Sequence, residues 1–250
     1  MLAVWDSISI LQDGIINLGG KFFGFDLSVI SSAVCKMYYF HSWGSSFSAN
    51  YHLVALCFDR FLAIKFPIWY RTNGKPKFAY SVSIGVVLLN YGICSLLIYF
   101  CELINDACVM TGQEVLLYWY IRINCFVIFS GLPFFIILFI NIHFVLYLRK
   151  SRKSRSSSQK NKRDVHEQRL VVMLMTVSFF FLLFSLTCGT ISAFYIQLIP
   201  TTPSEVSLSG FLEVVLEIPS IMNSSMNFIF FFLSGKGYRD ACRKMLKSIL

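Results

Sequence analysis

Charge is scarce in this sequence. Of its 250 residues 14% are Asp, Glu, Lys or Arg, against about 25% in soluble globular domains. A chain so poor in charge and so rich in apolar residues is neither a soluble domain nor a disordered one. Its eight cysteines contain no C-x-x-C pair, which excludes the common zinc and dithiol motifs. Their scatter through apolar stretches is not the framework of a disulfide-stapled secreted module. The four histidines form no H-E-x-x-H and no paired metal spacing, and no G-x-S-x-G occurs. His41, His52, His143 and His166 therefore read as buried or interface side chains, and neither an enzyme nor a metal site is expected. Also missing are internal repeats and helices interrupted at mid-membrane by Gly/Pro pairs. A transporter or channel is the weaker reading for that reason.

What the chain has in excess is apolar surface: 56% hydrophobic residues, 17% aromatic, 26 Phe and a mean hydropathy of +0.64. Six long apolar runs lie at about 1–19, 32–65, 78–101, 117–148, 168–197 and 207–234. Stretches such as Phe179 to Leu186 and Phe126 to Ile140 are too long for strands and lack period-2 alternation. In lipid only helices and closed barrels satisfy their own backbone, so these runs are predicted membrane helices. The expected fold is all-α: a multi-pass transmembrane bundle over 1–234, a basic loop at 149–169, and an amphipathic helix at 235–250.

The net charge of +9 would suggest nucleic acid if it were spread over a surface. It is not. Of 22 Lys and Arg, all but Lys21, Lys36 and Arg122 fall in or beside Arg60 to Lys77, Arg149 to Arg169, and Lys236 to Lys247. The alternate connectors carry Asp26, Glu102, Asp106, Glu114 and Glu205. The positive-inside rule places the basic loops in the cytosol, facing anionic lipid, and no nucleic-acid partner is expected. With six spans the start of the chain would be cytosolic too. Ser154 and Ser156 to Ser158, set among basic residues, are candidate phosphorylation sites. Cys35 and Cys108 lie near extracellular ends, where a disulfide is permitted, and Cys101 competes for the partner role. Cys57, Cys94, Cys125 and Cys188 read as small packed or lipid-facing side chains. The Asn223-Ser224-Ser225 sequon falls inside the last helix and is closed to glycosylation.

Ionisable groups at membrane depth are costly and mark function or close pairing. Asp6 and Asp13 are seven apart on one face of the first run; Asn223 and Asn227 are four apart in the last. Asp59 and Arg60 end the second run at the cytosolic side, and Glu167 begins the fifth from that side. Arg60 and Glu167 are candidates for a releasable ion pair. Glu213 and Glu217, one turn apart with no cation on their own helix, imply a polar cavity or a cationic ligand.

Read together, these residues resemble a rhodopsin-like G-protein-coupled receptor. Leu2-Ala3-Val4-Trp5-Asp6 is similar to the family's second-helix L-A-x-x-D. Cys35 precedes Arg60 by 25 residues, as the family's extracellular Cys precedes the Arg of D-R-Y. Asp59-Arg60-Phe61 is that triplet with Phe for Tyr, followed by LAIKFP as at the second intracellular loop. Pro133 stands at the fifth-helix kink, and Phe181 to Thr187 maps onto F-x-x-C-W-x-P. Asn227 to Phe231 maps onto N-P-x-x-Y, and Gly235 to Leu246 resembles the eighth helix, with Cys242 placed for palmitoylation. Seven matches in order span the whole chain. The resemblance implies that the chain begins inside the second helix, as an internal methionine of a longer protein or a truncated product. A natural six-helix chain is the alternative, acting as a non-signalling partner of a full-length form.

The departures bear on mechanism. Ser185 and Thr187 replace the sixth-helix Trp and Pro, Phe228 replaces the Pro after Asn227, and Phe231 lacks the Tyr hydroxyl. Gly189 and Pro219 are candidate substitutes for the lost flexibility and kink. Asn141 occupies the fifth-helix Tyr position, so the family's water bridge between two tyrosines cannot form as such. Arg60, Asp59, Phe61, Glu167, Ser185, Asn227 and Phe231 are the implied activation switch. Asp6, Asn223 and Asn227 are the implied sodium pocket, with Ala49 where a Ser is common, so the only ion the resemblance implies is an allosteric sodium held with reduced sensitivity. Seven residues after Cys35 stands Ser42, where amine receptors carry Asp, which argues against a biogenic amine. The segment KFFGFDLSVISSAVCK resembles the first extracellular loop of peptide receptors, with Lys21 for Trp, and its spacing is similar to that of invertebrate FMRFamide-like receptors. Asp13, Ser42, Arg122, Glu213 and Glu217 are the expected ligand contacts, the ligand a short basic neuropeptide and the cytosolic partner a heterotrimeric G protein. A plasma-membrane location follows from that resemblance.

Overall fold

The computed structural model describes residues 2–74, 76–105, 107–111, 114–154, 172, 175–181, 183–187, 211, 215, 218–227, 229, 239–240 and 243–244. The first apolar run is α1 (Leu2–Ser9), a π-helical stretch at Ile10–Leu18, and α2 (Gly19–Phe23). Two glycines turn the chain out of this rod. Gly24 sits at φ +69°, and a Cβ on Gly20 would strike the Phe25 carbonyl, whose own N–H donates back to Gly20 O at 2.8 Å. Asp26 then caps a short 3-10 turn at Leu27–Val29, its Oδ1 accepting from Ser28 N at 2.8 Å and Ser28 Oγ at 2.7 Å.

α3 (Ser32–Lys65) is capped by Ser31 Oγ, which accepts from Val34 N at 3.2 Å. Its 34 residues span roughly 51 Å at 1.5 Å per residue, and it is the axis on which α1, α5 (Pro76–Cys94) and α8 (Leu132–Ser154) pack. That position explains its composition. Gly44, Ser45, Ser48 and Ala49 are buried, and a Cβ on Gly44 would lie 2.8 Å from the Tyr91 ring. Small residues at such positions let helix backbones approach in lipid. Pro67 cannot continue α3 and opens α4 (Pro67–Asn73) instead.

α5 (Pro76–Cys94) and α6 (Leu97–Phe100) form one apolar stretch, and α7 (Glu114–Arg122), a π-helical stretch at Ile123–Gly131, and α8 (Leu132–Ser154) form another. Pro76–Phe100 and Val115–Tyr147 are each long and apolar enough to cross a membrane. Pro133 has no N–H for the Phe129 carbonyl four residues back. α3 repairs the break: Asn50 Nδ2 donates to Phe129 O at 3.3 Å and Tyr51 Oη to Ile128 O at 2.9 Å. The described residues of 175–187 and 218–229 are also helical.

Between α6 and α7 the chain leaves the all-helical pattern. β1 (Cys101–Ile104) pairs antiparallel with β2 (Ala107–Met110), Cys101 opposite Met110 and Ile104 opposite Ala107. The region expected as a plain extracellular loop is thus a hairpin that satisfies its own backbone outside the apolar layer. Cys108 on β2 is bonded to Cys35 on α3, with Cα atoms 5.6 Å apart. Cys101 is buried and free. Burial pushes its thiol up to about 11, against a smaller opposite pull from Lys36. The bond itself decides the competition in favour of Cys108.

Two apolar clusters close the bundle. One gathers Cys35, Phe47, Cys94, Leu97 and Cys101 at the hairpin end; the other gathers Leu53, Cys57, Ile137, Ile140, Val177 and Phe181. The outward face is apolar as well, with Leu88, Phe135 and Phe139 each more than half exposed. Polar residues are the ones inside, as a lipid-embedded fold requires.

Candidate functional site

Between the two apolar clusters lies a belt of buried polar side chains from three elements. Asp6 on α1 is 4% exposed, and Asn227 Nδ2 donates to both of its carboxylate oxygens at 3.3 Å. One turn away from Asn227, Asn223 Nδ2 donates to Asn50 Oδ1 at 3.4 Å. Toward the extracellular end Ser220 Oγ donates to Asp13 Oδ2 at 3.1 Å. Asp13 itself lies in the π-helical stretch of the first rod. The extra residue per turn of a π segment re-aims side chains, and such segments recur at functional sites.

A small cavity opens beside these bonds, lined by Ser9, Asn50, Ser185, Ser220, Asn223 and Ser224 together with Ala49 and Phe129. It leaves about 10 Å³ for the centre of a water-sized sphere, which is room for roughly one water. Ser9 Oγ and Ser185 Oγ are buried in its wall and have no hydrogen-bond partner among the described residues. The Ser185 carbonyl, by contrast, accepts from Ser130 Oγ at 2.7 Å. This is a polar, partly unsatisfied space between helices, which can hold a water or a small cation but no organic ligand. Ser185, at the position where the resemblance expects Trp, forms part of its wall.

A second polar bridge lies behind α3. His52 Nδ1 donates to the Ser48 carbonyl and Nε2 accepts from Ser83 Oγ, both at 2.6 Å, with the Trp5 ring 6.2 Å away. The carbonyl can only accept, which fixes the proton on Nδ1 of the neutral ring. His52 is an interface histidine between α3 and α5, and no metal cluster occurs among the described residues.

At the opposite end of α3, Tyr70 Oη on α4 donates to Asp59 Oδ1 at 2.8 Å while Arg60 Nε lies 3.8 Å from Asp59 Oδ2. Burial, this bond and the adjacent carboxylate charge hold the Tyr70 phenol above the ordinary tyrosine range. The hydroxyl therefore remains a donor at neutral pH. Phe61 packs against the cytosolic apolar cluster.

Membership follows from a comparison over most of the length. The sequence pattern of the 7 transmembrane receptor (rhodopsin family) matches residues 23–230. The chain belongs to the rhodopsin family of seven-transmembrane receptors. It is a membrane-embedded signalling receptor, not an enzyme. No curated protein matches it.

Within this receptor the residues singled out from sequence are distributed unevenly. Asp6 and Asn227 meet, Asn223 meets Asn50, Asp13 meets Ser220, and Asp59 faces Arg60. Ser42 lies half-buried on α3, its carbonyl accepting from Ser45 Oγ at 3.0 Å, and does not line the cavity. Arg122 rests over the Tyr118 ring at 4.1 Å on α7. Glu167, Glu213, Glu217, Phe231 and Cys242 lie outside the described residues. Sequence reasoning missed Asn50, Ser9, Ser220 and Tyr70. Asn50 was within reach of the rule applied to Asp6, since it too is polar at membrane depth; Tyr70 carried no such signal.

Proposed function

We propose that this receptor lies in the plasma membrane, senses a short basic neuropeptide from outside and passes the signal to a heterotrimeric G protein in the cytosol. The ligand class rests on Glu213 and Glu217, two acids one turn apart with no cation on their own segment; Asp13, a carboxylate 8% exposed that accepts from Ser220, supports it as an acid inside the same bundle. A carboxylate so far from water requires hydrogen bonds or a counter-charge. In sequence Glu217 and Glu213 precede Ser220 by three and seven residues. By the family resemblance those two acids belong to the ligand-binding end, and an acid-rich surface attracts a cation, here the Arg or terminal amine of the peptide, which pairs with Glu217. The bound peptide favours the state it binds more tightly, and the shift equals its differential affinity. At the cytosolic end Arg60 leaves Asp59 and Glu167, and a G-protein helix takes the vacated space.

Carboxylate and amide oxygens suit a small hard cation. Asp6, Asn223 and Asn227 would hold an allosteric sodium beside the small cavity, which supplies room for about one water. Ala49 in that wall supplies no oxygen, so the ion is held weakly.

The test is a screen of short amidated basic peptides on cells expressing the full receptor, followed by Glu217→Gln and Asp13→Asn. Potency is expected to fall about tenfold or more in each, the equivalent of about 1.4 kcal/mol. Unchanged potency in both variants at matched surface expression would sink the reading.

A further inference from the structure

We propose that Asn50 is a positioning residue for signalling: its one side-chain amide locks the proline break of the Val115–Tyr147 span to the helix that includes residues 218–227, and release of that lock is a step in passing the signal inward. This rests on the proposed departure of Arg60 from Asp59 on activation. With Arg60 Nε 3.8 Å from Asp59 Oδ2, the structure is the resting arrangement.

Asn50 is 3% exposed and uses both ends of its amide. Nδ2 donates at 3.3 Å to Phe129 O, the carbonyl that Pro133 leaves without an N–H from its own helix. Oδ1 accepts from Asn223 Nδ2 at 3.4 Å. The residues on either side of Phe129 are tied as well. Tyr51 Oη donates to Ile128 O at 2.9 Å, and Ser130 Oγ donates to the Ser185 carbonyl at 2.7 Å. Three consecutive residues of the π-helical stretch Ile123–Gly131 are thus fixed by side-chain bonds. Of these bonds, that of Asn50 continues through the same amide to a further helix. Three residues before Asn223 that helix carries Ser220, bonded to Asp13, and four residues after it Asn227, bonded to Asp6. A movement at Ser220 reaches Asn223 within one turn, and through Asn50 it reaches the break in the neighbouring span.

The lock is built to open. Asn50, Phe129 and Asn223 all line the small cavity, which has room for about one water. A water there can take over the Phe129 carbonyl once the amide turns away, so release strands no polar group in an apolar interior. Interhelix hydrogen bonds in membrane proteins carry about threefold each in an equilibrium, so two lost together shift the resting state by roughly eightfold.

The experiment is hydrogen–deuterium exchange of the full receptor in detergent, paired with basal loading of guanosine thiotriphosphate per receptor in membranes. Asn50→Leu keeps a branched side chain and removes both bonds. Exchange in Ile123–Gly131 and in 218–227 should accelerate about threefold. In a Pro133→Ala background the Phe129 carbonyl regains a partner on its own helix, so Asn50→Leu should loosen 218–227 and leave Ile123–Gly131 unchanged. In an Asn223→Leu background the pattern should reverse. Loss of packing alone would accelerate both segments in both backgrounds; that result overturns the proposal, and so does no acceleration at all. Asn50→Ser, smaller and still polar, runs through the same cycle if the leucine variant is not recovered. Basal loading should rise roughly eightfold in Asn50→Leu, and loading that is present in the parent and unchanged in the variant overturns the role in signalling. Loading absent from parent and variant alike counts against the G-protein reading instead, and the exchange cycle then decides the lock.

Discussion

Replacing Tyr70 by Phe removes one hydroxyl and little else, so it isolates the bond that ties α4 to the end of α3. A hydrogen bond to a charged acceptor contributes about 1.5–3 kcal/mol where it is shielded from water. Here the Asp59 side chain is 34% exposed, and Tyr70 lies partly in solvent. Screening brings the expected loss to about 1 kcal/mol. In a local-opening equilibrium that is roughly a fivefold change. Amide exchange in Pro67–Asn73, measured by hydrogen–deuterium exchange on detergent-solubilised receptor, should accelerate about fivefold, while exchange in Leu132–Ser154 stays as it was. A double-mutant cycle with Asp59→Ala isolates the pair, because Tyr70→Phe should do nothing once the carboxylate is gone. A coupling energy of zero, or equal acceleration in α4 for Tyr70→Phe with and without Asp59, would refute the bond as the anchor.

Three further outcomes follow. Cys35→Ser with Cys108→Ser frees a loop of 73 residues, for which the chain-entropy model gives a ceiling of about 4 kcal/mol; because membrane helices persist in the unfolded state, a fall of about 5 °C in the detergent melting temperature is expected, and an unchanged melt would contradict a stabilising role for the bond that fastens the hairpin to α3. Ala49→Ser places an oxygen in the cavity wall, so sodium should weaken agonist binding more in the variant than in the parent; equal sodium sensitivity in radioligand competition would argue against an ion at Asp6. Cys101, with its thiol raised to about 11 by burial, should react very slowly with iodoacetamide at pH 7, with a rate that rises about tenfold per pH unit up to that value, since only the thiolate attacks; fast labelling at neutral pH would show the thiol to be open to water.

Much of the fold is one-dimensional information. The apolar run at 32–65 coincides with α3 (Ser32–Lys65), and the runs at 78–101 and 117–148 coincide closely with the spans Pro76–Phe100 and Val115–Tyr147. Hydropathy and length decide these elements because lipid leaves a backbone no alternative to helix. The ordered motifs from Asp6 to Asn227 likewise carried the family, and the compartment of each cysteine kept Cys35 and Cys108 together as a candidate pair. Partner choice is another matter. Nothing in the spacing of Asn50 says that it donates to Phe129 O across 79 residues, or that Tyr70 turns back to Asp59. Nor does spacing reveal that Ser9, Ser185 and Ser220 line one cavity, or that Asp13 lies in a π-helical stretch. Hydropathy along a chain records how deep each residue sits, whereas hydrogen-bond partners depend on how each helix is rotated about its axis and how closely its neighbours approach. Those are settled only when all the helices pack at once, and that is why the membrane fold and the polar residues Asp6, Asn223 and Asn227 were legible in the sequence and the partners Asn50, Ser9 and Ser220 only in the assembled bundle.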